Sequence, residues 1–219
     1  PNGHPIDVAY SINIKAFQPV FEKMKKEGFE IALHAGYNSL YDEVHFKREK
    51  EELEALTGID IKGIRHHYWH MGQNFYDTLK KHENTYFKYD SSISFNDHLR
   101  FRLNTALPYF PFDAHKDSKI DVLQIPVFCM DGNLFYDKSM TIDRAMTSIT
   151  EYIEILEKYN GVGSIDWHTR TSYPKGSTYQ KWGQTYLDIM ELLSTKKHIW
   201  VCTADELYNW WMKRGEKVD

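Results

Sequence analysis

The chain of 219 residues contains 11 histidines and 31 acidic side chains, and a few of these close apolar runs instead of lying on charged faces. His34 ends "FEIALH", Arg65, His66 and His67 end "KGIRHH", Asp90 ends "TYFKYD", and Asp166 and His168 end "VGSIDWH". An imidazole can ligate a metal or move a proton near neutral pH, a carboxylate can take a proton, and a guanidinium can fix a carboxylate. If these runs are parallel strands, their carboxyl ends share one rim, so residues distant in sequence can converge there. His34, His67 and His168 are the imidazoles such a rim gathers, because buried imidazoles need partners and collecting them without a use costs free energy.

Two other constellations carry less. "RHHYWH" sets His66, His67 and His70 close together, but successive residues of a strand face opposite sides, so His66 and His67 cannot bind one ion from regular structure. A separate metal hydrolase built on this cluster is a third reading. Ser91 and Ser92 invite a Ser/His/Asp arrangement, yet no G-x-S-x-G elbow is present to expose a nucleophile. Most remaining carboxylates belong to solvated helix faces such as "KREKEELE".

The elements that must position these residues follow from hydrophobic period. Lys15 to Gly28 places Phe17, Val20, Phe21 and Met24 at helical spacing before the strand that opens at Phe29. A helix from His45 to Gly58, the strand "KGIRHH", a helix from Asn74 and the short run "TYFKYDSS" come next. Ser91 to Asp121 shows no sustained period and holds Pro108 and Pro111, so it reads as a surface excursion of the kind that walls a site. Val122 to Phe128 is a strand in which Pro126 forbids one ladder bond and predicts an edge or bulge. Ile142, Ala145, Met146, Ile149, Ile153 and Leu156 mark a helix from Thr141 to Tyr159. "VGSIDWH", a helix from about Thr178 to Lys196, the run "HIWVC" and a helix opening on the capping box "TADE" complete the chain. Strands alternating with helices predict parallel pairing in one α/β domain over 1–219, either barrel or doubly wound.

Composition excludes several partners. A formal net charge of -4 and the lack of a basic stripe argue against nucleic acid. No window reaches the roughly 18 to 20 uncharged apolar residues of a membrane span, so no membrane span is expected. Cys129 and Cys202 both lie in apolar runs, which favours reduced thiols and a cytoplasmic setting, although no targeting segment fixes the localisation. The 15% aromatic content, with 15 Tyr and 6 Trp, supplies rings on which a sugar can stack.

"GFEIALHAGYNS", "GIRHHYW", "YFKYDSSISF" and "SIDWH", in this order, resemble the second to fifth motifs of the polysaccharide deacetylase family, the NodB-homology carbohydrate esterases, in a bacterial branch of it. The resemblance runs from about Asp7 to Trp211. It implies a distorted (β/α) barrel and a divalent metal, usually zinc, that assists hydrolysis of N-acetyl groups on a carbohydrate substrate. His34 matches the first metal histidine, and Asn38 stands where the second is usual. Arg65 matches the arginine that orients the base, Asp90 the motif-four aspartate and His168 the general acid. Tyr37, His67, Trp69 and Trp167 are the expected substrate contacts. The family's first motif, a strand ending in two aspartates, has no match, so the chain is expected to start after the first strands of the barrel. The rival from another class is an inactive carbohydrate-binding domain that keeps the barrel.

Overall fold

The computed structural model describes residues 4–7, 15–137, 139–175 and 178–215, so most of the first ten residues assigned to the resemblance lie outside it. In chain order the elements are α1 (Gln18–Lys26), β1 (Leu33–Ala35), α2 (Glu43–Thr57), β2 (Gly63–His66), α3 (Phe75–Asn84), β3 (Tyr89–Asp90), β4 (Phe112–Asp113), β5 (Ser118–Lys119), β6 (Leu123–Gln124), β7 (Val127–Met130), α4 (Asp131–Phe135), α5 (Ile142–Tyr159), β8 (Ser164–Asp166), α6 (Gln180–Thr195) and α7 (Ala204–Gly215). They fall into two compact units. The first comprises Pro1–Ser92, Tyr109–Gln124 and Cys202–Asp219, and the second Ile93–Pro108 and Ile125–Val201.

The first unit is built on a parallel sheet of order β1-β2-β3-β6. Its register sets His34 beside Arg65 and Ile64 beside Asp90, so three of the strand ends picked from sequence share one edge. Behind the sheet α2 starts where Asp42 accepts from the backbone N–H groups of Val44 and His45, and stops at Gly58 in the left-handed region (φ 68°). Between those caps it buries Phe46 and Leu53 against Ile31, Leu33, Ile61, Ile64 and Phe87. Each such side chain contributes roughly 1.5–3 kcal/mol, and that burial is what holds the short strands level. Gly63 has no side-chain alternative, since a Cβ there would lie 2.3 Å from the Tyr89 ring that crosses it. At the other end of the chain "TADE" forms its reciprocal cap, Thr203 N–H to Glu206 and Glu206 N–H to Thr203 Oγ1, and opens α7.

In the second unit β7 and β8 pair in parallel, with a register shift between Val127 and Cys129. α5, capped by Thr141, lays Ala145, Ile149 and Ile153 into a cluster with Phe101, Phe128, Leu134 and Ile189. Its predicted stripe is the observed buried face. The four-stranded sheet and the β7–β8 pair are both parallel and both fed by helices, which is the α/β arrangement the alternation predicts.

Three expectations need correction. The strand over Val122 to Phe128 is two strands, because Pro126 has no N–H to give a ladder and interrupts them. Ser91 to Asp121 is not merely a surface excursion: it contains the antiparallel β4–β5 hairpin and buries Phe101 and Ile120. "HIWVC" is irregular, with Trp200 and Val201 more than half exposed, so its apolar content reflects no packed ladder among the described residues. No described helix is long and apolar enough to cross a membrane.

Candidate functional site

At the edge of the first unit, residues from β1, β2 and the turns after them meet. His34 Nδ1 donates to the carbonyl of Arg65 at 3.0 Å, which ties the ends of β1 and β2 together across the register. His67, one residue past β2, donates from Nδ1 to Asp7 Oδ1 at 2.7 Å, and the His34 and His67 rings meet edge to face at 5.2 Å. Asp7 also accepts the backbone N–H groups of Tyr37 and His4. Burial works to raise the Asp7 carboxyl, but these donors, His67 foremost, outweigh it and hold the group below the usual carboxylate range.

The loop after β1 is clamped from its other side. Glu49 of α2 accepts from Gly36 N–H and from Ser39 Oγ, so the helix fixes the turn that presents Tyr37 and Asn38. The Tyr37 ring stacks on His70 at 3.9 Å, and His70 Nδ1 donates to the Tyr37 carbonyl. Because that nitrogen carries the proton, His70 Nε2 accepts from the hydroxyl of Tyr41. Asn38 is exposed and opens the short turn over Ser39–Tyr41 through its backbone carbonyl, without a side-chain cap.

Tyr68 and Trp69 both adopt positive φ, 57° and 53°. Two consecutive left-handed aromatic residues cost free energy, and such strain concentrates at working sites. The turn buries one ring and exposes the other. Trp69, expected to stack on a sugar, is 5% exposed and lies under the Arg65 guanidinium, whereas Tyr68 stands in solvent at 52% exposure. Arg65 in turn donates from Nε to Ser91 Oγ.

Asp90, the matched motif-four aspartate, is wholly buried. Its carboxylate accepts from Ser92 N–H and Ser92 Oγ, and its second oxygen has no hydrogen-bond partner. Burial pushes its carboxyl up to about 7, against the opposing pull of Ser92 and Arg65. Its enclosure ties the end of β3 to Ser92.

The second unit holds a different carboxylate beside its histidine. His168, just past β8, donates from Nδ1 to Asp131 Oδ1 at 2.8 Å and from its backbone N–H to Oδ2 at 3.2 Å. Thr171 Oγ1 and Gly132 N–H complete the donor set of Asp131, which is 1% exposed. The hydrogen bond and charge of Asp131 raise His168 above the ordinary imidazole range despite partial burial. Burial would raise Asp131, but His168 and Thr171 overcome it and hold the carboxyl low. The pair is therefore an imidazole oriented by a carboxylate that favours its protonated form, able in that form to give a proton from Nε2 to a leaving group. Trp167 is half-buried, tilted against Tyr186 with an enclosed indole N–H, so only part of its ring can serve a ligand.

Two solved structures share this fold. One, "putative polysaccharide deacetylase from Mycobacterium smegmatis", is similar over 90% of this chain and 68% of that chain, with a TM-score of 0.66 at 18% identity. The other, "Puue Allantoinase", covers 90% of this chain and 63% of that one, with a TM-score of 0.61 at 15% identity. No protein-family model matches the chain, and no curated protein matches it. The likeness establishes a mixed α/β fold of the polysaccharide deacetylase type.

The ligand set expected for a divalent metal does not assemble from the described residues. Asn38 is exposed at the turn after β1, and no group of three or more His, Cys, Asp or Glu side chains surrounds a common point among the described residues. These residues alone do not fit a zinc centre, so no step below is routed through a metal. Sequence reading missed two acids. Asp131 carried the same signal as Asp90, an acidic residue closing the apolar run "VFCM", while Asp7 sits in a loop with no periodic mark.

Proposed function

We propose that this chain is a deacetylase-like hydrolase that removes N-acetyl groups from a carbohydrate, with His168 as the proton donor and Asp131 as the group that holds it. The observation that carries this reading is the Asp131–His168 pair, found on a fold shared with a structure named as a polysaccharide deacetylase. Water oxygen adds to the acetyl carbon and releases its proton to solvent, the C–N bond breaks to leave acetate, and the amine departs with the proton from His168 Nε2, which solvent then restores. Within the first unit, taken by itself, Arg65 and His34 brace the strand ends, and Tyr37, His67 and Tyr68 group aromatic rings of the kind on which a sugar can stack. Closure of the strands into a distorted barrel belongs to the same reading.

The test is acetate release from N-acetylated oligosaccharides. His168→Ala should lower it about 10²–10⁴-fold, the span typical of a lost general acid, when compared at a temperature where both proteins are folded, since the variant leaves Asp131 buried without its partner and is less stable. Equal release from the two proteins removes His168 from the reaction. The exposed ring of Tyr68 also supports a binding-only domain, which would retain the oligosaccharide without releasing acetate from it.

A further inference from the structure

His66 of β2 and His82 of α3 face one another through the same ring atom, Nε2 to Nε2 at 2.9 Å, with centroids 5.0 Å apart. They are 1% and 0% exposed, and the Phe46 ring stacks on both. Two Nε2 atoms at that distance share a single proton, since two protons collide and none leaves two lone pairs opposed. Which ring gives it follows from the far sides. Neither Nδ1 has a hydrogen-bond partner, but His82 Nδ1 lies 4.0 Å from a carboxyl oxygen, Asp90 Oδ1, toward which a hydrogen can point. A buried N–H without an acceptor is the costlier orphan, so His66 Nδ1 is the lone pair and His82 Nδ1 carries hydrogen toward Asp90.

We propose that His66, His82 and Asp90 form one buried chain, His66 Nε2–H to His82 and His82 Nδ1–H toward Asp90, whose protonation sets the end of β2 that carries Arg65 and His67. The link to β2 is Ser92, which donates from Oγ to Asp90 and accepts the backbone N–H of His66 at 2.9 Å. This N–H lies one residue before His67. The two imidazoles stay neutral, His66 lowered to about 3 and His82 far below its ordinary value by burial, so Asp90, pushed up to about 7, is the member that titrates. The charged and titratable groups facing the chain are His34 from β1, Arg65 from β2, His70 from the following turn and Tyr109 from the β6 side. Ionised Asp90 draws the His82 N–H in from 4.0 Å, and protonation releases it. The chain is independent of the proposed deacetylation and is readable without any substrate.

Imidazole nitrogens of the ¹⁵N-labelled full chain, followed from about pH 5 to about pH 9 across the histidine range, test it. Expected are the Nε2–H form for His66 and the Nδ1–H form for His82, with His82 and the His67 backbone amide shifting together at a midpoint near 7. Asp90→Asn should abolish that shift at both residues. Ser92→Ala should keep it at His82 and remove it at His67, which a merely structural role for Asp90 does not predict. The opposite tautomers in the wild type, or no common midpoint, overturn the proposal.

Discussion

Asp90 and Asp131 are the same residue in matched places, one ending β3 and the other following β7, and both are buried to within 1%. Their acidities nevertheless move in opposite directions, Asp90 up to about 7 and Asp131 below its ordinary value. Desolvation acts on both in the same sense. The difference is the donors: Asp131 accepts from four, one of them a cationic imidazole, while Asp90 accepts from Ser92 alone and leaves Oδ2 without a partner. A charge-assisted bond contributes about 1.5–3 kcal/mol and a neutral one about 1, so four donors can offset a penalty of several kcal/mol and two cannot. A carboxylate poised for proton chemistry and one that serves the scaffold are thus separable by donor count where burial cannot tell them apart.

The comparison breaks most severely if Asp131 proves dispensable. Asp131→Ala strands the His168 side chain without its counter-ion and should cost about 3–5 kcal/mol in urea unfolding near pH 6. Acetate release should fall about 10²–10⁴-fold, like that of His168→Ala, because the two act as one unit. A cost under about 1 kcal/mol would show that the four donors were not holding a charge. The pH window follows from the directions of the two shifts. The lowered Asp131 contributes stability that disappears as pH falls below the carboxylate range, and the raised His168 contributes stability that disappears as pH rises past the imidazole range. The pair is fully worth its energy only between about 4 and 6.5.

Asp90 should give the opposite slope. Its native value near 7 lies above the 3.8 of an unfolded aspartate, so the native state keeps a proton that the unfolded chain has already lost. Stability therefore falls as pH rises from about 4 to about 7, by on the order of 4 kcal/mol over the three units. Asp90→Asn should flatten that slope and leave the protein more stable than wild type at pH 8, measured by denaturant titration at several pH values. A slope that survives the substitution assigns the titration elsewhere.

What the sequence disclosed and what it hid have the same cause. α5 and the capped start of α7 were legible because their signals are local: an apolar stripe of period 3.6 and a Thr–Glu pair three residues apart. His34, Arg65 and His67 were legible as a group because parallel register places strand ends together. The partner of His168 was not, since "YFKYD" and "VFCMD" look alike and only the tertiary position of Thr171, Gly132 and His168 distinguishes their aspartates. The burial of Trp69 has a backbone origin. Left-handed turns at Tyr68 and Trp69 exchange which ring faces solvent, and no propensity scale anticipates two of them in aromatic residues.

The smallest test probes the donor count one bond at a time. Thr171 is fully buried and gives its hydroxyl proton to Asp131, and valine has nearly its shape, so Thr171→Val removes one donor with little repacking. Three donors remain, His168 among them. The expected cost is about 1–2 kcal/mol, with His168 still titrating above the ordinary imidazole range by NMR. If the donors act additively, acetate release should fall far less than in Asp131→Ala. If instead this single hydroxyl collapses the elevated His168 titration, then Asp131 is held by one cooperative network and not by the number of its bonds, and the contrast with Asp90 would rest on Thr171 itself.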